Sequence, residues 1–216
     1  MSTIHQVCIL VTAAGSLGLL LAEWRNSQLG SWLTKPVAAL GFVVLGLSRG
    51  RLDSRYDALL VLGLVLCMGG DILLIPKRRA AFAAGILSFL LGHVAFLAAF
   101  VSRGVSVQAV IFSAIALALI GGGVLRWLLP HSGDLRVAVV AYVIVITAMV
   151  AAAVGTAWQG AGERILLGAL MFYLSDLAVA RERFVKASFV NRLWGTPLYF
   201  AAMLIIASSV GGSAGW

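Results

Sequence analysis

Eight apolar runs of roughly 17 to 25 residues, separated by short basic connections, limit what this chain can fold into more than any other feature. A hydrocarbon core about 30 Å thick demands segments of that length from helices rising about 1.5 Å per residue. The runs are Ile4 to Ala22, Trp32 to Leu47, Tyr56 to Ile75, Ala81 to Val101, Val107 to Leu128, Val137 to Trp158, Ile165 to Ala180 and Phe189 to Val210. They predict an all-α fold, a polytopic transmembrane bundle of about eight helices, with residues 1–216 forming a single integral membrane domain. Composition agrees, because 62% of the residues are hydrophobic, only 11% are charged and the mean hydropathy is +1.04. The connections are too short to fold alone, so any chemistry falls to residues on the helices or at their ends.

The first run lacks the basic leader region and the cleavage site of a secretory signal and is read as a helix. Cys8 and Cys67 lie inside apolar runs, away from any paired or C-x-x-C pattern, and read as small buried hydrophobes. The net charge of +8 invites a nucleic-acid partner, yet the cations are scattered in small groups at helix ends, which is a topology signal; no nucleic acid is expected. Eleven of the 16 fall at the first, third, fifth and seventh connections and five at the others. The odd connections are therefore expected on the cytoplasmic side, with both termini outside.

The acidic residues are few enough to take singly. Asp53, Asp57, Asp134, Glu163 and Glu182 sit in or beside connections with arginines near them, where solvated ion pairs are the ordinary reading. Asp71 and Asp176 differ, because each lies inside an apolar run, where a carboxylate costs several kcal/mol unless it is paired, protonated or facing a wet cavity. Asp71 precedes Lys77 by six residues and Asp176 precedes Arg181 by five, so each lies roughly 8 Å inside the same membrane face. The third and seventh helices run in the same direction, and a bundle that packs them together brings the two carboxyl groups to one level.

Other polar groups gather at that end. Glu23 closes the first run, Lys35 begins the second, Tyr142 follows Arg136 by six residues and Tyr199 follows Arg192 by seven. Tyr173 shares a helix face with Asp176, and Ser175 with Phe172, while Gly69 and Gly70 allow close backbone approach or a bend. Each tyrosine has a plain alternative as an interfacial belt residue. His93 lies near mid-helix, where it can pack by hydrogen bonding or take part in the site. A zinc hydrolase would want several His, Asp or Cys ligands converging; with His131 in a connection the site would have to be made from His93 and the two aspartates, and no metal is expected. Gly70-Asp71-Ile72-Leu73 and Ser175-Asp176-Leu177-Ala178, four helices apart, hint faintly at two parallel halves, a pattern also found in transporters.

At these residues the chain resembles the bacterial YhhN and animal TMEM86 family of eight-helix membrane proteins, which includes lysoplasmalogenases. The resemblance rests on Thr34-Lys35-Pro36, Gly70-Asp71-Ile72-Leu73-Leu74, Phe82 to Gly85, Phe89 to Phe96 with His93 inside it, Tyr142, and Phe172-Tyr173-Leu174-Ser175-Asp176 with Phe184 after it. The last helix departs from the family pattern of paired tyrosines followed by Ala-Gln: Leu198-Tyr199-Phe200-Ala201-Ala202 keeps one tyrosine and lacks the glutamine.

The resemblance implies a multi-pass protein of the bacterial inner membrane, with a site in the cytoplasmic half that hydrolyses the vinyl ether bond of lysoplasmalogens. The products are a fatty aldehyde and glycerophosphocholine or glycerophosphoethanolamine; the partners are a lysophospholipid and membrane lipid, and no cofactor is required. The residues suit such chemistry. One of Asp71 and Asp176, kept protonated by burial and by its neighbour, can protonate the outer alkene carbon, while the other stabilises the oxocarbenium ion and activates water. Lys35 is the candidate for the phosphate, and Tyr142, Tyr173 and Tyr199 for orienting water or the glycerol hydroxyl. Two rival readings use the same carboxyl groups: a proton-coupled transporter would make them a relay, and a structural membrane protein would make them interhelical hydrogen-bonders.

Overall fold

A computed structural model describes residues 2–50, 52–160 and 162–212. Eight long helices follow in order: α1 (Thr3–Trp24), α2 (Gln28–Arg49), α3 (Arg55–Leu73), α4 (Arg79–Arg103), α5 (Val107–Leu128), α6 (Arg136–Ala157), α7 (Glu163–Ala180) and α8 (Phe189–Ala207). Two short 3₁₀ turns join α5 to α6, and a wide π-helical turn, Arg181–Val185, follows α7. The expected all-α bundle is what forms, and α5 coincides with its apolar run. Serines start several helices where the apolar runs cannot: Ser27, Ser54, Ser106 and Ser188 each accept a backbone N–H from the first turn of α2, α3, α5 and α8. As a result α2 begins four residues before the run at Trp32, and Lys35 lies well inside it instead of at its start.

Seven of these helices are long and apolar enough to cross a membrane. The exception, α7, carries Glu163, Arg164 and Asp176 among its 18 residues and packs between α6 and α8. Large apolar side chains point outward around the bundle, among them Leu10, Leu33, Phe112, Leu119 and Val137, an outer surface that suits lipid and not water. The protein is a multi-pass integral membrane protein.

Packing runs in a ring from α1 through α2, α3, α4, α6, α7 and α8 back to α1, and α8 also leans inward against α2 and α3. Helix α5 lies outside the ring on α6, with only Ala109, Gly121 and Leu128 buried. Small residues let the most intimate pair, α3 and α4, approach: a Cβ at Gly70 would stand 2.6 Å from the Phe89 ring, and one at Gly92 2.9 Å from Cys67 Sγ. Gly70 thus serves the close approach expected of it, while a Cβ at Gly69 would meet only the Ser88 hydroxyl. Cys8 and Cys67 are buried and free, as small hydrophobes.

One acidic residue departs from its expected role. Asp57 is not a solvated loop carboxylate but sits in the first turn of α3, 5% exposed, and accepts the Gly211 backbone N–H at 2.9 Å. Beside it Tyr56 bonds the Ser209 hydroxyl at 2.6 Å under the Arg103 guanidinium, so this cluster ties the end of α8 to the start of α3. Asp134, by contrast, makes the exposed ion pair expected of it, with Arg79.

Candidate active site

A cavity of about 700 Å³ opens among the helices at one end of the bundle. Its wall takes the last turns of α1, α3, α5 and α7 and the first turns of α2, α4, α6 and α8, the end at which the odd connections lie. Asp71 and Asp176 both line it, so the two carboxyl groups, one buried and one partly exposed, share one chamber. Helices α3 and α7 are linked through α8, which packs against each of them.

The two carboxyl groups have different neighbours. Asp71, 2% exposed, has Lys35 Nζ at 3.2 Å from Oδ1, and Tyr199 donates its hydroxyl to Oδ2 at 2.6 Å. Only donors face it, the surroundings of an ionised carboxylate. Lys35 is thereby the counter-ion of Asp71. Asp176 accepts the Tyr142 hydroxyl at 2.8 Å on Oδ2, and the same oxygen lies 3.3 Å from His93 Nε2. That approach is close enough for an ion pair but out of line for a hydrogen bond, and Nε2 has no hydrogen-bond partner.

His93 is fully buried behind Asp176 and does not line the cavity. Its ring stacks on Phe172 with centroids 4.2 Å apart, and its Nδ1 contacts the Phe89 carbonyl oxygen, one turn earlier, at 2.7 Å. Phe172 also packs against Tyr199, so aromatic rings bridge the two carboxyl groups from Asp176 to Asp71. Tyr142 and Tyr199 are therefore interior hydrogen-bond donors and not interfacial belt residues.

The remaining expected site residues also line the cavity. Tyr173 does so with its hydroxyl buried and lacking a well-aligned partner. Ser175 returns its hydroxyl to the Phe172 carbonyl of its own helix, which leaves it no free proton to donate. Glu23 lines the rim with Oε2 buried and unpaired. Among the described residues, no group of three or more His, Cys, Asp or Glu is placed to hold a metal ion.

At the mouth stand side chains that were given no site role from the sequence. Arg183 lies 4.7 Å over the Phe82 ring, and Glu182, expected as a solvated ion pair, is instead largely enclosed. Glu182 accepts the Ser188 N–H at 2.6 Å, the Asn191 amide at 2.9 Å and two bonds from Arg192. Burial pushes its carboxyl up, but these donors outweigh burial and hold it below the ordinary glutamate range. Arginine-rich connections were legible as topology; that the π-helical turn folds them back over the cavity was not.

A model of the YhhN family matches residues 30–210 of this chain. The bovine protein named lysoplasmalogenase TMEM86A is 28% identical over 199 residues, which cover 86% of this chain and 81% of its own. The lysoplasmalogenases of Mycobacterium bovis and Mycobacterium tuberculosis are each 30% identical over 162 residues, 69% of this chain, and the match spans only 59% of their length. No solved structure matches. With its own motifs gathered at one cavity and the family pattern covering most of its length, the chain belongs to the YhhN family.

Proposed function

We propose that this protein is a lysoplasmalogenase-like ether hydrolase, working as a single membrane domain. It opens the vinyl ether bond of a lysoplasmalogen to give a fatty aldehyde and a glycerophospho head group, with Asp71 and Asp176 as the acid–base pair. The observation that carries the reading is the pair itself: two carboxyl groups in one chamber, each held by a tyrosine hydroxyl, within a bundle whose outside meets lipid. The named activity of the similar bovine and mycobacterial proteins supports it.

The cavity suits such a substrate in size and in polarity. About 700 Å³ lies within the range of small-molecule sites. Apolar side chains from α5 and α6, including Val124, Leu128, Val139 and Ile146, offer one wall to the hydrocarbon chain. Lys77, Arg78 and Arg183 line the mouth and offer cations to the phosphate, whereas Arg79 is paired with Asp134. Since Lys35 is engaged by Asp71, Arg183 is the better phosphate ligand: a planar guanidinium laid on an aromatic ring, with no carboxylate pair among the described residues. Glu23 and Tyr173 then face the glycerol and head-group end. With eleven of 16 cations at the connections on this end, the site belongs in the cytoplasmic half, in a bacterial inner membrane. The transporter reading gains no support, because the lining residues come from one end of the bundle and α8 closes across α2 and α3.

The test is aldehyde release by the purified protein from a lysoplasmalogen in detergent, with the saturated alkyl-ether analogue as control. Wild type should cleave only the vinyl ether, and Asp71→Asn and Asp176→Asn should fold but release nothing. No release from any lysophospholipid would sink the proposal.

A further inference from the structure

The two aspartates are not interchangeable, and the difference lies in what faces each. Around Asp71 every near polar neighbour is a donor: the Lys35 ammonium on Oδ1 and the Tyr199 hydroxyl on Oδ2. A protonated Asp71 would set its own O–H among donors. Around Asp176 the balance is different. The tyrosine hydroxyl of Tyr142 donates to Oδ2, but the other close neighbour is a ring nitrogen of His93 whose state the backbone fixes.

The Phe89 carbonyl can only accept, so the 2.7 Å contact places the proton of His93 on Nδ1. In the neutral ring Nε2 is then a bare lone pair, 3.3 Å from Asp176 Oδ2. An ionised Asp176, 16% exposed at the cavity wall, would set its oxygen against the lone pair of the fully buried His93 ring; a neutral carboxyl removes most of that repulsion. The alternative, an imidazolium paired with a carboxylate, would need the Nε2–H to aim at the oxygen, and it does not: Nε2 has no aligned partner, so a cationic N–H would be buried unsatisfied.

We infer that Asp176 is the proton donor and Asp71 the ionised partner, with His93 acting as a positioning residue that keeps the Asp176 carboxyl neutral through the tautomer fixed by the Phe89 carbonyl. This rests on the hydrolase reading above for its chemistry, though the placement of the proton does not. In the reaction the Asp176 O–H bond breaks as its proton forms a C–H bond at the outer vinyl carbon, and the inner carbon becomes an oxocarbenium ion beside the Asp71 carboxylate. Water adds to that carbon and gives a proton to Asp71. The hemiacetal then gives its hydroxyl proton to the Asp176 carboxylate while the bond to the glycerol oxygen breaks and that oxygen takes the proton from Asp71. Vinyl ether and water become aldehyde and alcohol, and both aspartates end as they began.

The test is infrared difference spectroscopy of the purified full-length protein in detergent at neutral pH, reading the carbonyl stretch of a protonated carboxyl group. Wild type and Asp71→Asn should show the band and Asp176→Asn should lose it. A band absent from wild type, or one that disappears in Asp71→Asn and persists in Asp176→Asn, would overturn the assignment. His93→Phe keeps the stacked ring and removes both nitrogens. It should shift the Asp176 band and lower kcat by at least tenfold with little change in KM, whereas a purely structural histidine would leave the band in place. The hydrolase reading fails separately: the band assigned to Asp176 with no aldehyde from any lysophospholipid leaves the proton where it is placed and removes the substrate.

Discussion

Tyr199 on α8 donates a 2.6 Å hydrogen bond to Oδ2 of Asp71 on α3, so the last helix completes a site that the third begins. A hydrogen bond to a charged group contributes about 1.5–3 kcal/mol, and a factor of ten in rate corresponds to about 1.4 kcal/mol. Tyr199→Phe removes that donor and keeps the ring packed on Phe42, Phe89 and Phe200. Its kcat for vinyl ether cleavage should fall roughly ten- to a hundredfold, and its thermal midpoint in detergent should fall as well, because a buried carboxylate loses one of its two donors. Full activity in Tyr199→Phe would take Asp71 out of the rate-determining chemistry.

The Lys35–Asp71 pair makes a stability prediction that does not depend on substrate. With Lys35 16% and Asp71 2% exposed, removing the cation strands a buried anion, a change that costs on the order of 3–5 kcal/mol. Lys35→Met should therefore be markedly less stable than wild type in denaturant titration, and adding Asp71→Asn should recover most of the loss, since the stranded charge is gone. Activity should stay lost in the double variant. A double variant no more stable than Lys35→Met would show that the two residues are not coupled.

What the sequence made legible and what it hid follow from the range of the forces involved. Run length against bilayer thickness is a local property, which is why the apolar runs match all eight helices to within a few residues and why Asp71 and Asp176 are visible in sequence at matching depths. Helix starts were less visible: α2 extends to Gln28 because a serine cap, not apolarity, begins it, and Lys35 moved inward with that shift. Partners were invisible. Tyr199 and Asp71 are 128 residues apart, and nothing local distinguishes a buried Asp57 from a loop acid until the Gly211 N–H is seen to need an acceptor. The one contact of His93 that spacing alone provides is to the carbonyl one turn back; that its other nitrogen faces Asp176 required the packing of α4 against α6 and of α6 against α7.

Asp57 lies at the opposite end of α3 from Asp71, so its loss should separate stability from activity. Asp57→Ala leaves the Gly211 N–H without its acceptor, at a cost of about 1–3 kcal/mol. The variant should melt at a lower temperature in detergent, and the folded fraction should cleave substrate with the wild-type kcat. A fall in kcat at temperatures where the variant is fully folded would mean that the two ends of the bundle are coupled.

The turn between α7 and α8 carries its own pH dependence, at Glu182 outside the membrane-spanning helices. Burial opposes its charge, but the Ser188 N–H, the Asn191 amide and the Arg192 guanidinium together hold its folded carboxyl below the ordinary value of about 4.5. A carboxyl depressed on folding adds stability that is fully present above its unfolded value and is lost as pH falls through its folded value. Glu182→Gln cannot ionise and keeps an acceptor for Ser188, so it removes this ionisation term and leaves the shape of the turn. The gap in thermal midpoint between wild type and Glu182→Gln should be widest near neutrality and close as the pH drops below about 4.5. A gap that stays constant across that range would assign the role of Glu182 to hydrogen bonding alone. Because Glu182, Asn191 and Arg192 also line the cavity mouth, wild type should lose its ordered rim, and with it substrate affinity, over the same acid interval in which the gap closes.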